Sequence, residues 1–393
     1  MKWKSCRIGN VVKLEQGLCI NAKSRHLLED SGIPLLRITD MINKTTTQYI
    51  NEKEISDKYV TKPVDLIYTR TGQVGLVFKG RVGVIHNNCF RIIPNEEIYP
   101  DYIYWYLKQK SIYDYANGIA SGSAQPDLGH KSFRSITFHY PPLPTQQKIA
   151  DILSAYDELI DNNNRRIELL EQAAQQLYKE WFVRFRFPGY EDAHFTKGIP
   201  DGWEVKRLYE FGQIETGKTP PTADAENYGG EIMFIKTPDM HGQAFVIDTE
   251  EKITEKGHLT QPKKLLPAKS ISVSCIGTGG VVAINAGPAH TNQQINSIIP
   301  CDRNYLEWLY FACKELKPTI EMFGATGATM TNLSKGKFEK IKIICPAKTL
   351  IYDFSKITAS MIDEIKTLQI KNQNLIKQRD LLLPRLMSGK IEV

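Results

Sequence analysis

The 393-residue sequence predicts an α+β fold in which two β-rich modules stand in pseudo-two-fold repeat, separated by two long antiparallel coiled-coil helices. Three observations carry that expectation. Segments recur in one order at a spacing near 200 residues. Each copy is cut by Gly, Asn and Pro into short stretches rich in Val, Ile, Thr and Tyr. After each copy the apolar period changes from strand-like to heptad.

The repeat opens with WKSCRIGNVVKLEQG from Trp3, echoed by WEVKRLYEFGQIETG from Trp203. IPLLRITDM (33–41) then parallels EIMFIKTPDM (231–240), both ending in Asp-Met. DLIYTRTGQVGLVF (65–78) parallels SISVSCIGTGGVVAI (270–284): a strand, a glycine turn and a second strand. NCFRIIP (88–94) matches QINSIIP (294–300), and PDYIYWYLK (100–108) matches RNYLEWLYFACK (303–314). The last pair is ASGSAQPDLGHKSFRSITF (120–138) with ATGATMTNLSKGKFEKIKI (325–343). One aromatic helix is expected per module, at 101–110 and 303–315, and in the first the run Tyr102, Tyr104, Trp105, Tyr106 beside Ile103 and Leu107 reads as core. A short strand follows and ends at a proline cluster, PPLP or CPA.

Residues 145–185 and 349–387 then carry heptads. One row of the first segment is Ile149, Tyr156, Asn163, Leu170, Leu177, and its companion is Leu153, Ile160, Ile167, Ala174, Trp181. Shifted by 205, the second segment has Phe354, Met361, Leu368, Leu375, Leu382 beside Thr358, Ile365, Asn372, Arg379, Leu386. Asn163 and Asn372 hold equivalent rows. A polar seam residue costs stability but can set register, and an antiparallel pair centred near 165 and 370 brings these two face to face.

Charge is uneven. Residues 1–145 hold 19 Lys+Arg against 13 Asp+Glu, whereas 188–347 hold 17 against 19, so only the first segment looks like a generic polyanion binder. Seven cysteines without a C-x-x-C pair suit a reducing cytoplasm better than a disulfide or zinc scaffold. The opening MKWKSCRIGN lacks an apolar secretory core, and no run is long and apolar enough to span a membrane.

Enzymatic motifs fail on inspection. GQIETGKT (212–219) matches the phosphate-cradling pattern, but Pro220 and Pro221 oppose the helix that must start at Lys-Thr. The histidines show no metal-ligand spacing, no nucleophile elbow occurs, and the adenine-methylating Asn/Asp-Pro-Pro-aromatic motif is absent. A binding role is expected. Turn-adjacent cations are the candidate DNA contacts: Lys23, Arg25, Lys44, Arg70, Lys131 and Arg134 in the first module. In the second they are Lys218 (with Thr219), Lys236, Lys263, Lys264 and Lys335.

This arrangement resembles the specificity subunit of type I restriction-modification systems over essentially the whole chain. SGSAQPDLGHKSFRSI followed by PPLPTQQKIADIL carries the likeness, as does IETGKTPPTAD opening the second module. The second long segment departs from it: CPAKTLIYDFSKI lacks the Pro-x-x-x-Gln-x-x-Ile form. The resemblance implies target recognition domains at 1–144 and 188–347, with spacer helices at 145–187 and 348–393. Each domain would read one half of a bipartite site in double-stranded DNA. Two modification subunits carrying S-adenosylmethionine would dock on the helices, joined by restriction subunits using ATP and Mg. The chain itself would hold no cofactor, perform no chemistry and be cytoplasmic. The specificity subunit of another multisubunit restriction class, and a non-DNA scaffold with duplicated β modules, remain open alternatives.

Overall fold

The computed structural model describes residues 3–122, 124–324 and 331–393. Ser123 and residues 325–330, part of the sixth repeated segment, lie outside the described residues. Packing divides the chain into two compact units, Met1–Leu159 with Leu375–Val393, and Ile160–Asn374. This division differs from one that sets the long helices apart as segments of their own. The beginning of the first helix and the end of the second bury apolar side chains in the first module, so they belong to its core.

The repeat is visible in strand pairing. In the first unit Lys4–Arg7 pairs antiparallel with Thr137–Tyr140, and in the second Glu204–Arg207 pairs antiparallel with Lys342–Cys345. In each module the start of the repeated segment is thereby paired with its end. The main sheet of the first unit runs Val12–Gln16, Cys89–Pro94, Leu66–Thr69, Val77–Phe78. That of the second runs Gly212–Thr216, Ile295–Pro300, Ile271–Ser274, Val282–Asn285, and adds Phe245–Val246 as a fifth strand. Smaller sheets flank both, built on Ile33–Leu36 in one unit and Tyr228–Ile235 in the other.

The aromatic segments form helices Pro100–Lys108 and Leu306–Glu315. Tyr102, Trp105 and Tyr106 are buried, as are Trp308, Tyr310 and Phe311, so these rings are core. Each helix is followed by a second one that periodicity did not announce, Lys110–Gly118 and Lys317–Gly324. The extended backbone of Gln109 (φ −61°, ψ 134°) breaks the run in the first module and lets the second helix turn.

The long helices run Leu143–Tyr178 and Lys348–Met387. The first continues into a π-helical turn, Lys179–Val183, which delivers Trp181 and Phe182 to the core of the second unit. None of the twenty residues in the four heptad rows is exposed. Within the first unit Ile149 and Leu153 share a core with Leu383, Leu386 and Met387, and Arg379 bonds Asp157. Within the second unit Ala174, Tyr178 and Trp181 share a core with Phe354, Ile362 and Ile365, and Arg166 pairs with Glu364 at 2.9 Å. In both units rising numbers on one helix meet falling numbers on the other. The helices therefore pair antiparallel, and neither folds on one module alone.

Candidate nucleic-acid interface

Strand ends bring polar loops together at one end of each main sheet. In the first unit Val12–Gln16 ends at Gly17, whose N–H donates to the Cys89 carbonyl, and the Leu18 N–H donates to the Ile85 carbonyl. In the second, Gly217 donates to Ile295 and Lys218 to Thr291. The same two bonds in both copies show that the repeat holds at the level of single amides. Both glycines are required by crowding: a Cβ on Gly17 would lie 2.3 Å from the His86 oxygen, and one on Gly217 would lie 2.2 Å from the Thr291 and Asn292 oxygens.

Side chains then differentiate the copies. Arg70 and Cys275 share one backbone position, since Leu128 donates to the Arg70 carbonyl at 2.8 Å and Leu333 to the Cys275 carbonyl at 2.9 Å. The Arg70 Nη2 donates to both Asp127 carboxylate oxygens at 2.7 and 2.6 Å, and its Nη1 reaches the Gln16 Oε1. The Gln16 Oε1 accepts from the His130 Nε2 at 2.7 Å, and Thr71 donates to Asp127 at 2.5 Å. Burial alone would raise the Asp127 carboxyl. The Thr71 hydroxyl and Arg70 guanidinium outweigh it and hold the group below the usual carboxylate range. Burial, then Arg70 and Arg134, push the His130 imidazole down, with Asp127 opposing. Cys275 is instead a buried thiol, pushed up to about 11 by burial. In the second unit Thr216 bonds Asn296 at 2.5 Å and Thr219 donates to Gln293 at 2.6 Å.

The twelve candidates divide accordingly. Lys23, Arg25, Lys44, Lys131, Arg134, Lys218 and Lys263 are exposed, without an ion-pair partner among the described residues. Lys44 caps helix Ile38–Asn43 in a left-handed conformation (φ 54°) that projects it beyond the helix end. Three of the other candidates are held in ion pairs: Arg70 with Asp127 at 2.6 Å, Lys236 with Glu251 at 2.7 Å, and Lys264 with Glu215 at 2.8 Å. Each side chain is held by a nearby carboxylate that the one-dimensional pattern does not reveal. Lys335 is half-buried and helps hold the Glu215 carboxyl down, behind Lys264 and Gln213. Arg70 and Arg134 both act on His130, beside which Lys131 follows in the same short helix, whereas Lys23 lies in a turn, Arg25 in the 3-10 helix Arg25–Leu27 and Lys44 at the end of helix Ile38–Asn43. The segment GQIETGKT ends in irregular backbone after Lys218 and Thr219, so the helix needed to cradle a nucleotide phosphate is missing.

The family profile described as "Type I restriction modification DNA specificity domain" matches residues 1–172 and 200–378. The chain belongs to that specificity family. The type I restriction enzyme HindI specificity subunit of Haemophilus influenzae is 34% identical over 372 residues, covering 78% of this chain and 81% of the relative. The type I restriction enzyme MjaIX specificity subunit of Methanocaldococcus jannaschii is 28% identical over 354 residues, covering 87% and 80%. A crystal structure of the type I restriction-modification S subunit from M. genitalium shares the fold at a TM-score of 0.64 with 16% identity, covering 98% of this chain and 96% of that one. Among the described residues no helix of this specificity-family chain is long and apolar enough to cross a membrane.

Positioning of the loop that carries Lys263 and Lys264 depends on a histidine pair that sequence reasoning passed over. The His258 Nδ1 and His290 Nε2 are 2.9 Å apart, and the Gln261 Nε2 lies 3.4 Å from the His290 Nδ1. His290 is fully buried; burial, with His258 adding to it, pushes its imidazole down to about 4. The neutral ring therefore stabilises the fold fully above the ordinary value of 6.5. That contribution is lost as pH falls from there through about 4, because the unfolded chain takes up the proton first. The unfolding midpoint is expected to drop over this window, and His290→Gln should flatten the drop. An equally steep loss in the variant, measured by thermal unfolding across that range, would assign the effect elsewhere. His290 corresponds to no histidine in the first module, where the pattern offers Val84 and Ile85 in the paired strand. Only the fold brings it to His258.

Proposed function

We propose that the chain is the non-catalytic DNA-recognition subunit of a type I restriction-modification complex. Each β-rich module reads one half of a bipartite, asymmetric duplex site, and the helix pair sets the unread gap and docks two modification subunits. The observation that carries this reading is the duplication itself: two modules whose main sheets share four strands in one order, joined by helices that pair with each other. Divergence at equivalent positions, Arg70 against Cys275 and Leu18 against Lys218, gives the modules different chemistry at the same sheet end. Different half-sites follow from that. The exposed cations Lys23, Arg25, Lys44, Lys131, Arg134, Lys218 and Lys263 supply phosphate and base contacts, and Thr219 and Lys335 flank them. S-adenosylmethionine, ATP and Mg belong to the partner subunits, and the complex works in the cytoplasm.

Helices of 36 and 40 residues are about 54 and about 60 Å long at 1.5 Å per residue, longer than the roughly 34–36 Å of one duplex turn. A paired helix is stiff where a flexible linker is not, so the number of unread base pairs is constant. The test inserts one heptad into each helix, between Leu159 and Ile160 and between Asn374 and Leu375, and sequences the methylome of cells that also express the modification subunit. A heptad adds about 10 Å, so the gap should grow by about three base pairs while both half-sites persist. Changed half-sites with a constant gap would refute the reading. Duplex affinity of the assembled complex should also fall steeply with salt, as phosphate neutralisation requires. Salt-independent or absent binding would favour a protein-binding scaffold.

A further inference from the structure

The two main sheets differ at one edge, and the difference leaves a cleft. Val77 and Phe78 pair with Tyr68 and Ile67, and Val282 and Ala283 pair with Val273 and Ser272 in the same register. Shifting by 205 thus superposes the edge strand of the first unit on Val282–Asn285 of the second. In the second unit that edge is covered. Phe245 and Val246 run parallel to it, the Ile284 N–H donates to the Ala244 carbonyl at 2.8 Å, and Ala244, Phe245 and Val246 are fully buried.

Among the described residues the first unit has no such strand. After helix Ile38–Asn43 the left-handed Lys44 turns the chain away toward Tyr49–Ile50, and Val77–Phe78 remains the sheet's edge. The residue equivalent to Ile284 is Lys79. Hydrogen bonding alternates along a strand, and Thr69 already bonds the Leu76 carbonyl, so the amides of Val77 and Lys79 point outward. Beside this edge lies an open cleft of about 570 Å³, walled by Met41, Ile42, Leu76, Phe78 and Leu107. Ile42 is 43% exposed although its neighbours are apolar. Cations surround it. Arg81 donates to the Met41 carbonyl but its Nε is buried without an acceptor, Lys110 is 85% exposed and pairs at the surface with Asp114 at 3.0 Å, and Lys44 stands in the adjoining depression.

We propose that this cleft is a β-augmentation site for an extended segment of another protein chain, apolar at its centre and acidic at its flank. The counterpart in the second unit shows what such a segment resembles: Ala244-Phe245-Val246 followed by Asp248 and Glu250. Main-chain bonding to the outward amides supplies affinity, the apolar walls select the central side chains, and the cations select the carboxylates. The edge is short, because Gly80 (φ 74°) turns the chain off after Lys79. Short length and flanking cations also keep the edge from pairing with itself.

The test uses the full chain and a fluorescein-labelled peptide of residues 242–250, GQAFVIDTE. Saturable binding by anisotropy is expected. Ile42→Lys should weaken it at least tenfold and Lys110→Glu several-fold, both at exposed positions where unchanged circular dichroism confirms folding. A peptide with Phe245→Lys should bind at least tenfold more weakly. Hydrogen exchange at Val77 and Lys79 should slow when the peptide is present. Absent or unsaturable binding, equal affinity for Ile42→Lys, or protection confined to other amides would each overturn the proposal.

Discussion

Gly217→Ala is expected to destabilise the protein by about 2–4 kcal/mol, the range of a severe steric insertion. The added methyl would sit 2.2 Å from two carbonyl oxygens, Thr291 and Asn292, with the Thr291 hydroxyl oxygen at 2.3 Å. Backbone atoms cannot swing aside as a side chain does, so Gly212–Thr216 must part from Ile295–Pro300 at that end, loosening the Gly217 and Lys218 bonds. The unfolded chain does lose entropy when Gly becomes Ala, but that gain is only about 0.4–1 kcal/mol. Gly336→Ala is the control. Nothing lies within 4 Å of its added Cβ, so stability should hold or rise slightly. Chemical denaturation of both variants checks the pair; a Gly217→Ala midpoint equal to that of Gly336→Ala would show that the strands separate without cost.

Asn372→Leu should cost about 1–3 kcal/mol, the penalty for stranding buried polar groups. Asn372 is 6% exposed, accepts from the Asn163 amide at 2.8 Å and donates to Asn164 at 2.8 Å. Leucine would leave both partners facing an apolar side chain. Replacing Asn163 by Leu as well removes the stranded donor and adds apolar contact, so the double variant should recover most of the loss. Its defect lies elsewhere. Without the polar layer, neighbouring registers and helix pairing between molecules become competitive, and sedimentation should reveal higher oligomers. A double variant less stable than Asn372→Leu alone, and still strictly monodisperse, would remove the register role from this layer.

Much of this was legible one residue at a time. The heptad rows became the buried faces of the long helices because a period of seven in an α-helix places its residues along one stripe whatever lies opposite. The prolines after Lys218 and Thr219 forecast the missing phosphate-binding helix, since ring geometry acts locally. Trp105 was readable as core from helical spacing beside Ile103 and Leu107, and it is buried.

Other features had no local signature. Arg70 reads as a turn-adjacent cation, and nothing near it in the chain announces that Asp127, distant in sequence, closes on it. Lys264 and Glu215 meet only because a loop folds back on a strand end. The fifth strand Phe245–Val246 is a two-residue segment with no alternation to detect, and nothing in the first module announces its absence.

The amino-acid order by itself determined the duplication, the antiparallel helix pair and the family, because periodicity and repeated motifs are properties of the chain that survive any detail of packing. The tertiary structure alone decided which cations stay free, where His258 meets His290, and which sheet edge is left open. Those outcomes depend on contacts between residues far apart in the chain, and Coulomb attraction and burial act through distance in space.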